Sequence, residues 1–253
     1  MIEEKKLHLE YVLQLADNAM ILGQQLGELC GHGPVLEQDI ALTNISLDLI
    51  GEARILYQYA AEIEGNGKTE DDYPYKRDIL DWKNLLLVEQ PNGHFGHTIV
   101  RQFMFDCYHY YHLKELANSS DVRLSEIAKK TIKEATYHLK YSSEWMIRLG
   151  DGTEESHLKM QEALNDRITY FDEAFIPSVI EKTDIISSIV VDCEKIKTQA
   201  WNKFRSTCEK ATLTIPNVEY PQKGGKNGLH SEHLGFILSN LQFLQRAYPD
   251  STW

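Results

Sequence analysis

The sequence predicts an all-α fold, a four-helix bundle with additional helices. Long segments carry apolar residues at i, i+3, i+4 and i+7, and no stretch shows sustained alternation flanked by turn signals. Breakers fall between those segments: 15 Gly and seven Pro are few for 253 residues, and most gather at 31–34, 64–68, 90–93, 150–152 and 222–228.

The first helix is expected over about Glu3 to Leu29, with Leu9, Val12, Leu13, Ala16, Met20, Gly23 and Leu26 on one face. Tyr11, Leu15 and Leu22 widen that face, an arc broad enough for contacts on more than one side. The second, about Leu36 to Ile63, carries Leu42, Ile45, Leu49, Ala53, Leu56 and Ala60 and stops at Gly65, so the two form an antiparallel hairpin. An acidic connection with Tyr and Pro leads into the apolar WKNLLLVEQ segment. Beyond Pro91-Asn92-Gly93 a third helix runs from Phe95 to Ala117, with Ile99, Phe103, Cys107, Tyr110 and Leu113 inward. Asp121 suits the N-cap of a fourth, ending at Leu149, and a fifth starts at Thr153, where Glu154 and Glu155 favour its first turn. Two more run from about Asp192 to Lys210 and from Ser231 to Tyr248.

With 42% hydrophobic residues the chain can bury one sizeable core, so residues 1–253 are expected to form a single domain. A net charge of -12 argues against nucleic acid or an anionic membrane as partner and suits a basic protein better. The scattered Cys30, Cys107, Cys193 and Cys208 form no C-x-x-C pair and read as reduced packing residues. The charged start, MIEEKKLHLEYVL, lacks the apolar centre of a signal peptide, and no apolar run approaches the roughly 18 residues of a membrane span. A cytoplasmic protein is expected. No nucleophile elbow, Walker loop or dinucleotide fingerprint is present.

Carboxylates on stripes that should be buried are the informative polar residues, because an ionised group in a core is costly unless paired or metal-bound. On the third helix Asp106 is in register with Phe103, Tyr110 and Leu113, with His109 beside it. On the fourth, Thr131, Glu134, His138, Ser142 and Trp145 share a face, and on the second Asn44 and Asp48 repeat the spacing. Ferritin-like proteins hold two metal ions with one carboxylate on each of two helices and Glu-x-x-His on the other two. Asp48, Asp106, Glu134 and His138 are the ligands such a site would use. The histidine positions, however, hold Gly51 and Tyr137, and the first helix offers only Asp17 or Glu28, off its best apolar stripe. No metal site is therefore expected in this chain; the inward carboxylates should pair with Arg, Lys or His and with hydroxyls.

Histidine pairs at i+3 (His94/His97, His109/His112, His230/His233) can be read as metal ligands, but ten histidines produce such spacings readily and hydrogen-bonded or surface roles are expected. The Gly-rich loop before Ser231, with Lys226, could cradle an anion; its plainer reading is a connection that needs positive φ.

Four segments, NISLDLIGEAR (44–54), NLLLVEQPNGHFGHTI (84–99), KEATYHLKYSSEWMIRLGDGT (133–153) and GGKNGLHSEHLG (224–235), resemble the C-subunit family of phenylacetyl-CoA epoxidase. The resemblance runs from about Tyr11 to Trp253 in the same order; residues 1–8 and 66–77 match only loosely. It implies a ferritin-like subunit of a monooxygenase complex of phenylacetate catabolism that epoxidises the ring of phenylacetyl-CoA. Its partners would be a catalytic di-iron A subunit, a small B subunit, and a reductase with flavin, iron–sulfur and NADPH chemistry. This chain would hold no catalytic residue and no cofactor, consistent with Gly51 and Tyr137, and would self-associate in isolation. For contact with the CoA ester the expected residues are Asp81, Trp82, Lys83 and Asn84, since Trp can stack on adenine and Lys can meet phosphate. Taken without the resemblance, the residues leave open a self-contained di-metal oxidase and a helical binding module.

Overall fold

The computed structural model describes residues 2–249 and Ser251; Trp253, where the resemblance ends, lies outside them. The described residues form helices, 3-10 turns and loops with no strand, as expected for an all-α, ferritin-like chain. In chain order the helices are α1 Ile2–Gly27, α2 Leu36–Glu64, α3 Asp72–Lys76, α4 Leu86–Glu89, α5 Phe95–Leu116, α6 Val122–Gly150, α7 Glu154–Arg167, α8 Cys193–Lys210 and α9 Glu232–Ala247. They fall into two compact units. The first comprises the chain up to Glu89, Ser178–Ile186 and the chain from Gly224; the second comprises Gln90–Pro177 and Ser187–Lys223.

In the first unit α1 and α2 form the expected hairpin, and α1 also packs on α4, α9 and the 184–186 turn. Ser46 Oγ donates to the Gly23 carbonyl at 2.7 Å across the hairpin. Gly65 closes α2 at φ +65°, where its N–H reaches the Ala61 carbonyl. From Tyr11 onward α1 is enclosed on nearly every side, so its wide apolar arc is used up within the chain and Asp17 is buried although it lies off the main stripe. The short α3 lies inside the acidic connection, where the sequence carries no helical repeat.

In the second unit α5 packs on α6, α7 and α8. Asp121, the N-cap expected from sequence, accepts from Leu124 N at 2.9 Å; at the other two expected starts Thr153 forms a capping box with Ser156 and Asp192 accepts from Glu194 N. Phe103 of α5, Phe171, and Trp201 and Phe204 of α8 form an aromatic cluster, with centroids 4.7 Å apart for Phe171 and Phe204. Two arginines hold the Gln90–Gly93 loop ahead of α5. Arg101, fully buried, donates to the Gln90 carbonyl and to Asn92 Oδ1, and Arg167 donates to the Pro91 carbonyl at 3.1 Å.

Candidate functional site

Among the carboxylates the first unit encloses, Asp17, Glu89 and Glu181 each meet a basic side chain. Asp17 on α1 accepts from the Tyr57 hydroxyl at 2.8 Å, from both terminal nitrogens of Arg77 and from Lys83 N at 2.9 Å. Burial opposes charge on Arg77, but Asp17 and Tyr57 outweigh it and its pKa is raised. Tyr57 is pushed far up, by burial first and then by Asp17, so it stays a donor. Glu89 at the end of α4 accepts from Asn84 Nδ2, His230 Nδ1, Ser231 N and Ser231 Oγ. His230 Nε2 lies 2.8 Å from the Trp82 carbonyl, so both ring nitrogens face oxygen acceptors. Glu181 accepts from Gln14 of α1, from Ser178 N and from Lys226 Nζ at 2.8 Å, and both members of that ion pair are almost wholly enclosed.

Lys226 is thus turned inward onto a carboxylate, and the Gly-rich loop is a structural joint, not an anion cradle. Gly225 lies so close to the preceding segment that a Cβ there would stand 2.3 Å from the Asn84 carbonyl oxygen.

Of the residues expected to meet a CoA ester, Trp82 and Asn84 are enclosed. Arg77 lies over the Trp82 ring at 4.6 Å, so the face an adenine would need is already covered, and Asn84 is committed to Glu89. Asp81 and Lys83 do reach a cleft of about 380 Å³, shared with Leu9, Leu13, Lys68 and Tyr73.

The proposed metal ligands are dispersed in character. Asp48 is only half-buried and Asn44 is exposed, while the enclosed carboxylate of α2 is Glu52. The inward stripe of α2 follows Leu42, Ile45, Leu49, Ala53 and Leu56, and Asp48 flanks it. In the second unit Asp106 and His138 are buried, Glu134 is half-buried and Tyr137 is 50% exposed. Asp106 Oδ1 accepts from Gln102 Nε2 at 2.7 Å, and Oδ2 pairs with Ser142 Oγ at 2.6 Å. Burial pushes its pKa up, against the opposing pull of His138, Ser142, Gln102 and His109. A carboxyl held toward its neutral form, with both oxygens engaged by protein groups, is a poor fit to a di-iron ligand.

That raised pKa has a testable sign. Asp106 in the folded state favours its proton more than in the unfolded state, where its pKa is about 3.9. The stability it contributes is complete below that value and is lost as pH rises through the folded pKa. Asp106→Asn keeps an acceptor for Gln102 and a donor for Ser142 without titrating. Urea midpoints are expected to show the variant gaining on the native chain as pH rises, and matching or exceeding it by about 1 kcal/mol at neutral pH. A variant that falls steadily behind with rising pH would mean an ionised Asp106 is required.

Compared with known proteins, the whole chain, residues 1–253, matches the profile of a family described as phenylacetic acid catabolic protein. The chain belongs to that family. It is also 45% identical over 244 residues to the C subunit of 1,2-phenylacetyl-CoA epoxidase from Escherichia coli (strain K12), an alignment covering 96% of this chain and 98% of that protein. Within this chain, two segments that carried the resemblance are bonded partners. Glu89 of the one, which also accepts from Asn84, holds His230 and Ser231 of the other. No described helix is long and apolar enough to cross a membrane.

Proposed function

We propose that this chain is a non-catalytic, structural subunit of a phenylacetyl-CoA epoxidase complex in phenylacetate catabolism, acting in the cytoplasm beside a di-iron A subunit, a small B subunit and a reductase. The single observation that supports it best is the state of the core carboxylates: Asp17 and Asp106 are engaged by Tyr57, Arg77, Gln102 and Ser142. With their oxygens taken up by protein groups, they leave the redox chemistry to the partners. The similarity to the Escherichia coli protein over nearly the full length of both chains supports the assignment to the complex.

Large exposed apolar side chains support a docking role. On α2 these are Leu36, Ile40 and Leu47, and on α9 Phe236 and Phe243, the last two 70% and 63% exposed. Substrate contact, in this reading, falls to Asp81 and Lys83 at their cleft.

Co-expression with the A subunit tests the proposal. A stable complex is expected, with self-association of the chain when alone, and ring epoxidation of phenylacetyl-CoA by the reconstituted complex that survives Asp106→Asn. A monodisperse monomer indifferent to the A subunit, or loss of turnover with Asp106→Asn in an intact complex, would overturn it.

A further inference from the structure

The His94/His97 pair stands at the start of α5, apart from the buried carboxylates. His94 immediately precedes α5 and His97 lies in its first turn, directly after the loop that Arg101 and Arg167 hold; both face α7 in the second unit. His94 Nδ1 accepts the Gly96 N–H at 3.1 Å, which fixes the ring, and its Nε2 lies 3.8 Å from Glu162 Oε2. His97 Nε2 lies 3.0 Å from Asp166 Oδ2. The two ring centroids are 4.1 Å apart. His94 Nε2 and His97 Nδ1 are both buried and make no hydrogen bond, a costly arrangement for imidazole nitrogens.

One donor atom from each of His94, His97 and Glu162 falls within 4.8 Å of the other two, the one such His/Cys/Asp/Glu group among the described residues. We propose that His94, His97 and Glu162 bind a single divalent first-row transition metal ion, with zinc as the reference ion and Asp166 as the carboxylate that orients His97. Two neutral imidazoles and a carboxylate suit such ions, and three protein ligands leave a position for water. Tetrahedral zinc at about 2.1 Å from each ligand needs donors about 3.4 Å apart. Glu162, with 63% of its side chain exposed, can swing to close that gap. A carboxylate on the second nitrogen of a metal-bound histidine is the usual supporting partner, and Asp166 already stands there.

Binding through His94 Nε2 moves the ring proton to Nδ1 and gives up the cap bond from Gly96, a cost of roughly fivefold in affinity. The ion would join the start of α5 to α7. It is distinct from the interior Asp106 and His138, and it does not depend on the chain's place in an epoxidase.

The test uses the full, tag-free chain stripped with a chelator, with cobalt absorption as a spectroscopic probe and zinc affinity measured by competition with a chromophoric chelator. One ion per chain is expected, together with a rise in Tm on zinc addition. Glu162→Gln and His94→Gln should each weaken zinc at least tenfold, and Asp166→Asn by about 10- to 100-fold. Glu162→Gln leaves the exposed surface intact, so the metal-free Tm should not move and misfolding is not at issue. Zinc affinity unchanged in Glu162→Gln and His94→Gln, or no zinc uptake by the native chain, would overturn the site.

Discussion

Arg77→Leu is expected to destabilise the protein by about 3–5 kcal/mol, read as a fall in the urea midpoint at constant slope. Asp17 is fully enclosed, and Arg77 supplies two of the donors that compensate its charge. Removing the guanidinium leaves a carboxylate with the Tyr57 hydroxyl and the Lys83 N–H, too little for a buried anion. The substitution also strips the cation from the face of Trp82. The backbone carbonyl of Arg77, which accepts from Gln242 and Arg246 of α9, would remain. Removing both charges together, Asp17→Leu with Arg77→Leu, should recover most of the loss, since burying the pair was itself costly. A loss below about 1 kcal/mol for the single variant would mean the pair is solvated.

Lys226→Met carries a similar expectation, about 3–5 kcal/mol, by the same chemistry at a different joint. Its ammonium and the Glu181 carboxylate are 2% and 1% exposed, so the surviving Glu181 would be ionised in an enclosed site or would have to take up a proton. The damage would spread through Gln14 on α1 and the Ser178 backbone, which share that carboxylate. Raising Tm by acidification is the diagnostic: protonating Glu181 relieves the variant, so its deficit should shrink as pH falls. A deficit constant across pH would assign the loss to packing alone.

The elements themselves were legible in the sequence because their signals are local. Asp121, Thr153 and Asp192 cap the helices whose starts they marked, and the bounds of α2 and α5 fall within a residue or so of the apolar pattern. The pairing of charges was not legible, since Arg77, Lys226 and His230 stand 60, 45 and 141 residues from the carboxylates they meet. Asp17 escaped because a stripe argument presumes one solvent face, and α1 has almost none between Tyr11 and Leu26. Its flanks gave a usable signal: Leu15, Ala16, Ala19 and Met20 surround it, as Leu86, Leu87 and Val88 precede Glu89. A carboxylate with apolar neighbours along the chain marked a buried partner at these two positions, whereas helical register placed Asp48 inward and it is only half-buried.

If the enclosed carboxylates of this chain serve structure and leave the iron to a partner, iron content should follow the partner. Its most direct test is iron content after growth in iron-rich medium, for the chain alone and co-purified with the proposed catalytic partner. Iron is expected only in the complex, in the same amount when this chain carries Asp106→Asn and His138→Gln. About two irons per isolated chain, lost with those substitutions, would contradict it.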